Sequence, residues 1–282
     1  MDKILINKLH NCPTCSHQFK GGFCHNCGEK HVDLNSHSLK KYMGDAVNAF
    51  THFDGKFFTT LKYLLFRPGK LTCEYLQGRR VRLMKPLQLY LIVTLLYFIF
   101  FKSFDLFYND FRYTITQTDF FSVKAQKTAV IKAAEHTKTL PGFIEEFNYA
   151  AQNNAKAFVF IIIPVLALIL LLFFYKQYRQ YVPHLIFATH YFTFYLISWA
   201  AYTVLLVKPV IHFNEQWFHS NKVWFESIII LVNVVYLAIA LRRVYTNHWA
   251  IVIIKTLVIS QLLIYIDFIY KIFVTQFTLS TI

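Results

Sequence analysis

The chain has 282 residues, of which 56% are hydrophobic and only 16% charged, with a formal net charge of +14. It carries 30 Phe and 18 Tyr but only 8 Gly and 7 Pro. This composition excludes a soluble domain of such length and fits a helical membrane protein. The basic surplus of such a protein sits on cytoplasmic flanks, where it sets topology and meets anionic lipid. Nucleic acid is not the expected partner, because the cations cluster beside an apolar run and not on a separate domain.

Met1–Leu9 has an apolar core of only Ile4, Leu5 and Ile6, too short for a signal peptide, so the first span is expected to act as its own insertion signal. Residues 1–34 form the first unit. Cys12-Pro13-Thr14-Cys15 and Cys24-His25-Asn26-Cys27-Gly28 are two C-x-x-C knuckles separated by eight residues. Each knuckle aims two thiolates at one ion, and two together give a closed tetrahedral zinc site. The expected cofactor is one structural Zn2+ per chain, held by Cys12, Cys15, Cys24 and Cys27. Such a site leaves no position for water, so it is not catalytic. The bland alternative is two separate redox pairs. Gly21-Gly22 is expected to make a hairpin turn and Gly28 a tight turn, while Phe19 and Phe23 cover the metal and His17 and His25 stay spare. So small a module has almost no core, so the metal should supply its folding energy. Four reduced thiols place this end in a reducing compartment. Cys73, beside Glu74, reads as a spare interfacial thiol and not as a nucleophile.

Residues 35–85 read as amphipathic helices and a basic flank. Over 36–66 the apolar positions Leu39, Met43, Ala46, Phe50, Phe53, Phe57, Leu61 and Leu64 step by three or four, which marks one helical face. Phe and Lys dominate it, so the membrane surface is the expected resting place, with packing against the spans as the alternative. Arg67-Pro68-Gly69 ends this helix. From Arg67 to Pro86 the chain holds Arg67, Lys70, Arg79, Arg80, Arg82 and Lys85, opposed by Glu74. One reading is a pocket for a lipid headgroup or phosphate, with the arginines as bidentate donors. The other is a plain topogenic flank.

Residues 86–282 hold five apolar runs near the ~20 residues a bilayer requires: 86–104, 157–175 with Pro164 as a kink, 184–207, 224–241 and 249–273. The basic flank before the first run, Lys176 and Arg179 after the second, and Arg242 and Arg243 after the fourth all agree with a cytoplasmic N-terminus and an extracytoplasmic C-terminus. The loops 105–156 and 208–223 then fall outside. Within the former, 122–138 reads as a helix, Pro141-Gly142 breaks it, and 143–156 can run helically into the second span. Inside the runs, His190, Asn233, Gln261 and Asp267 are the polar exceptions. Such groups often mark a pathway, but helix-packing contacts are the expected role here. Asp267 and Lys271 can pair, and Lys255 can snorkel. No phosphate loop, nucleophile elbow, H-E-x-x-H or paired-carboxylate motif is present.

The run C-P-T-C…F-K-G-G-F-C-H-N-C-G-E-K, then F-F-T-T-L-K-Y-L-L-F-R-P-G-K and Y-L-Q-G-R-R-V-R-L-M-K-P, resembles an uncharacterised family of bacterial membrane proteins, found mostly in Bacteroidetes and defined as a domain of unknown function. The resemblance covers about residues 10–100. It rests on Cys12, Cys15, Cys24 and Cys27 and on Arg67, Pro68, Gly69, Tyr75, Gly78, Arg79, Arg80 and Pro86. Leu83-Met84 departs from it, where an aromatic residue is common. The resemblance implies a zinc ribbon followed by membrane helices and brings no activity with it.

The expected architecture is thus an all-α polytopic membrane protein of about five spans with a small N-terminal four-cysteine zinc ribbon, in the bacterial inner membrane. The expected role is non-enzymatic docking or assembly, with anionic lipid and a protein at the ribbon as partners. The rival is a small transporter or lipid-handling protein that uses the basic motif together with His190, Asn233 and Asp267.

Overall fold

The computed structural model describes residues 9–31, 56–101, 106–116, 118, 120–135, 139–245 and 248–282. The amphipathic stretch before Lys56, the 102–104 end of the first apolar run and the 136–138 end of the loop helix lie outside the described residues. The chain divides into two compact units, Met1–Tyr97 with Ile163–Val258, and Phe98–Ile162 with Ile259–Ile282.

In the first unit, β1 (Leu9–Asn11) and β2 (Gln18–Lys20) pair antiparallel, with His10 opposite Phe19. The first cysteine knuckle is itself the turn between them. Gly21, at φ +92°, leads instead out of β2 toward the second knuckle, where Phe23 bridges Lys30. The expected Gly-Gly hairpin turn is therefore a connector, because the two strands enclose residues 12–17.

Then come α1 (Lys56–Phe66), α2 (Lys70–Leu76) and α3 (Pro86–Phe100). At about 1.5 Å per residue the 15 residues of α3 rise about 22 Å, less than the ~30 Å hydrocarbon core. Among the described residues, four stretches are long and apolar enough to cross a membrane: Leu140–Phe174, Tyr181–Phe218, Lys222–Tyr245 and Trp249–Thr281. The first joins α6 (Leu140–Phe158) to α7 (Ile162–Phe174) through a 3-10 turn at Val159–Ile161. Pro164 lacks an N–H for the Phe160 carbonyl, and the helix tightens there instead of breaking.

The second stretch begins with α8 (Tyr181–Tyr202), whose side chains are buried without interruption from Val182 to Phe194. A π-helical turn, Thr203–Val207, carries it into α9 (Lys208–Ser220). The sequence reading of 208–223 as a short loop is corrected here. Pro209 cannot bond the Leu205 carbonyl, and the widened π turn absorbs that loss, so the chain stays helical up to a break at Asn214 (φ −160°, ψ 92°). α10 (Lys222–Tyr245) and α11 (Trp249–Thr281) follow, the latter continuous despite Lys255, Asp267 and Lys271.

The core of the first unit lies where α1 and α2 pack on α8 and α10. Aromatic rings build it. Phe174 stacks on Tyr245 at 4.1 Å, His184 stacks on the same ring at 5.5 Å, and Phe194 lies 3.5 Å from Tyr236 between ring centroids. α1 therefore packs against long helices and does not lie free on a surface. Leu64 and Thr60 face inward, while Phe58 and Phe66 remain exposed.

The second unit folds the expected outer loop into helices. α4 (Phe111–Thr114), α5 (Phe120–Glu135) and α6 pack together. Ala125, Ala129 and Ala133, four apart, give α5 a small-residue face buried in this unit. Phe111 lies 4.2 Å from Phe147. Thr139 caps α6 by accepting from the Gly142 N–H, with Pro141 in the first turn, so Pro141-Gly142 lies inside the start of a helix. Asn154 Nδ2 donates to Thr278 Oγ1 at 3.0 Å, which ties α6 to the end of α11.

Candidate functional site

The two knuckles repeat one backbone pattern. Cys12 N–H donates to the His17 carbonyl and Ser16 N–H to the Cys12 carbonyl; Cys24 N–H donates to the Glu29 carbonyl and Gly28 N–H to the Cys24 carbonyl. The fourth residue after each first cysteine turns left-handed, Ser16 at φ 60° and Gly28 at φ 74°. Glycine suits that position and serine is strained there.

This repeat brings the four thiols together. Cys12 and Cys27 are 3.5 Å apart, as are Cys15 and Cys24, and all four sulfurs lie within 4.8 Å of one another. A tetrahedral ion with metal–sulfur bonds of about 2.3 Å would set its sulfurs about 3.8 Å apart, so the donor set fits such an ion. Phe19 packs on the cluster, but Phe23 is exposed beneath the Lys30 ammonium and does not cover it. The backbone N–H hydrogen bond at His17 holds the Cys15 thiol down to about 6. At Cys27 the corresponding bond at Glu29 also lowers the value, but burial and the neighbouring thiols outweigh it and push the thiol up to about 12. Crowded thiols thus share their protons unequally, which a cation would relieve.

The residue that sequence reasoning missed is Glu29. It follows the last ligand and is only 2% exposed. Its Oε2 accepts from Thr14 Oγ1 at 2.7 Å, from Arg80 N–H at 2.9 Å and from Val81 N–H at 2.9 Å. The first partner belongs to the cysteine module and the other two to the basic motif. A buried carboxylate requires such partners. The one available signal was an acidic residue directly after the second knuckle, opposite a segment otherwise dense in arginine.

The basic motif is largely folded onto itself. Lys70 and Arg79 pair with Glu74 at 4.0 and 3.3 Å. Arg80 Nε donates to the Tyr75 carbonyl at 2.9 Å, and its guanidinium lies 4.2 Å from the Tyr75 ring centroid. Arg67 rests over Tyr63. Arg82 is exposed and Lys85 is half-buried. The Arg-Pro-Gly-Lys turn is anchored from α10, since Arg243 Nη1 donates to the Pro68 carbonyl at 2.5 Å. Gly69, at φ 74°, sits against the α10 backbone. Cys73 Sγ donates to the Arg243 carbonyl at 3.6 Å, and burial pushes its thiol up, as a spare structural cysteine requires.

Polar residues of the long helices make hydrogen bonds and an ion pair to neighbouring groups. His190 Nδ1 meets Thr72 Oγ1 at 2.9 Å, and His184 meets Tyr245 and the Tyr178 carbonyl in a separate network. Asn233 Nδ2 donates to Ile229 O, and its Oδ1 accepts from Ser198. Asp267 and Lys271 pair at 2.8 Å. Lys255 donates to the Phe173 carbonyl at 2.6 Å and so caps the C-terminal end of α7.

With this geometry in place, the comparisons with known proteins fall on one region. Residues 54–98 match a family described as protein of unknown function (DUF3667). The match takes in α1, α2, the Arg80–Val81 turn and most of α3, the part of the chain that Glu29 grips. No curated protein and no solved structure matches the chain.

Proposed function

We propose that the chain is a multi-pass protein of the bacterial inner membrane, without catalytic activity, that serves docking or assembly. One structural zinc ion on Cys12, Cys15, Cys24 and Cys27 shapes a ribbon. That ribbon clamps the protein's own cytoplasmic collar, residues 67–86, and offers its remaining surface to a protein partner. The observation that carries this reading is the buried Glu29 carboxylate shared between Thr14 and the Arg80–Val81 amides. The soft thiolate set supports zinc. The collar cations and Arg242 and Arg243 at the end of α10 support a cytoplasmic N-terminus. We count the apolar run 86–104 as a fifth crossing, because its length in the sequence is near the ~20 residues a bilayer requires. The C-terminus is then extracytoplasmic.

A second reading, lipid handling at the collar, is supported by the exposed Arg82 and by Arg79, whose side chain remains about half exposed beside Glu74. Native mass spectrometry with metal analysis on the detergent-purified full chain separates the two. One zinc per chain and a stoichiometric protein partner, both lost in Cys12→Ser, is the expected result. Bound lipid lost in Arg79→Ala with Arg80→Ala, but kept in Cys12→Ser, would favour the second reading. A chain purified without zinc would overturn the ribbon.

A further inference from the structure

The Arg80–Val81 turn is built as an anion site. Two consecutive backbone N–H groups converge on one oxygen, Glu29 Oε2, both at 2.9 Å. Leu83 N–H closes the turn onto the Arg80 carbonyl at 3.0 Å, and Gly78, at φ 84°, leads into it. Successive amides in a turn form a concavity that prefers an oxyanion. Arg82 and Lys85 follow it in sequence, and Arg79 before it is paired with Glu74, so the cations outnumber the one nearby acid. Its present occupant is a carboxylate delivered from another element, more than fifty positions away along the chain. Pro86, which begins α3, follows five residues later, so the site lies at the mouth of a membrane-directed helix.

We propose that the Arg80–Val81 amides are a binding site for a phosphate oxyanion, and that Glu29 occupies it as a built-in competitor. The proposal rests on the clamp reading above: while Glu29 is docked the site is closed, and release of the ribbon opens it. Phosphate suits the site because its oxygens accept several N–H donors at once, and the exposed Arg82 guanidinium follows the two amides directly in sequence. The source is either an anionic phospholipid headgroup or a soluble phosphate, which share this chemistry.

The test compares the full zinc-loaded chain with Glu29→Ala and Glu29→Gln in nanodiscs of zwitterionic lipid. Each is titrated with phosphatidylglycerol and, separately, with inorganic phosphate, while exchange of the 79–83 amides is followed. A site closed nine-tenths of the time has its apparent Kd raised about tenfold, so Glu29→Ala should bind at least about tenfold tighter than the parent. Glu29→Gln, which keeps an acceptor and loses the charge, should fall between them. Tighter binding of phosphatidylglycerol alone assigns the headgroup; tighter binding of inorganic phosphate assigns a soluble ligand. Val81→Pro removes one donor at a turn position that accepts proline, and in the Glu29→Ala background it should erase the gain. Amides that open without any gain in phosphate binding would overturn the site and leave the clamp standing. A gain that survives Val81→Pro would overturn it too, since charge alone would then explain the binding. Amides that stay protected in Glu29→Ala would overturn the clamp itself.

Discussion

Replacing Gly69 by alanine tests the seam between the Arg-Pro-Gly-Lys turn and α10. Gly69 has φ +74°, and a Cβ there would lie 2.8 Å from the Ala240 carbonyl oxygen, 3.0 Å from its Cα and 3.3 Å from its carbonyl carbon. Two costs add. A left-handed alanine costs about 1–2 kcal/mol. Overlap with packed neighbours costs about 1–3 kcal/mol more. The sum is about 2–5 kcal/mol, and it falls on the packing of α2 against α8 and α10. Gly28 provides the internal control. It has the same φ of +74° with nothing within 4 Å, so Gly28→Ala should show only the first cost. All three close atoms at Ala240 belong to backbone, so Ala240→Gly should not rescue Gly69→Ala. The assay is unfolding by SDS titration in mixed micelles, read as an apparent free-energy difference. A Gly69→Ala chain as stable as the parent, or one rescued by Ala240→Gly, would refute the close approach.

Ser16→Gly should stabilise the metal-loaded cysteine module by about 0.5–1 kcal/mol, because Ser16 holds φ 60° where its counterpart is Gly28; amide exchange of residues 9–31 in the loaded chain checks it. Metal affinity should rise with pH. The Cys27 thiol, pushed up to about 12, must surrender a proton on loading, so this group alone contributes about tenfold per pH unit between 6.5 and 8. A competition titration with a chromophoric chelator that gave a flat profile would contradict this. Asn233→Ala should cost about 0.5–1.5 kcal/mol through loss of the Ser198 contact, and a double-mutant cycle with Ser198→Ala should show the two to be coupled. Additive effects would show that the contact contributes nothing.

Much of this molecule was legible in the sequence because its strongest signals are local. The C-x-x-C spacing brings four thiols together through short turns whose hydrogen bonds close within six residues. Runs of apolar residues as long as 224–241 have few alternatives to a helix, and Asp267 and Lys271 pair because four residues is one helical turn. What escaped was non-local or compensated. Helix 208–220 continues through Pro209 because a π turn upstream absorbs the missing donor, and no residue announces that in advance. Lys255 finds the Phe173 carbonyl through the approach of two helices. Arg79 and Arg80 of the collar find Glu74 and Tyr75 through the turn at Gln77–Gly78, which composition alone does not show. Glu29 was hidden for the same reason: its role depends on two amides more than fifty positions away.

Glu29 joins the cysteine module to the collar through Thr14 and the Arg80 and Val81 amides. The most direct measurement is hydrogen–deuterium exchange of the 79–83 segment in the zinc-loaded full chain, compared between the parent and Glu29→Ala. The Arg80 and Val81 amides should be protected in the parent and exchange at least about tenfold faster in the variant, a difference of about 1.4 kcal/mol in opening, with zinc content unchanged. Equal protection in both chains, with zinc retained, would contradict the clamp.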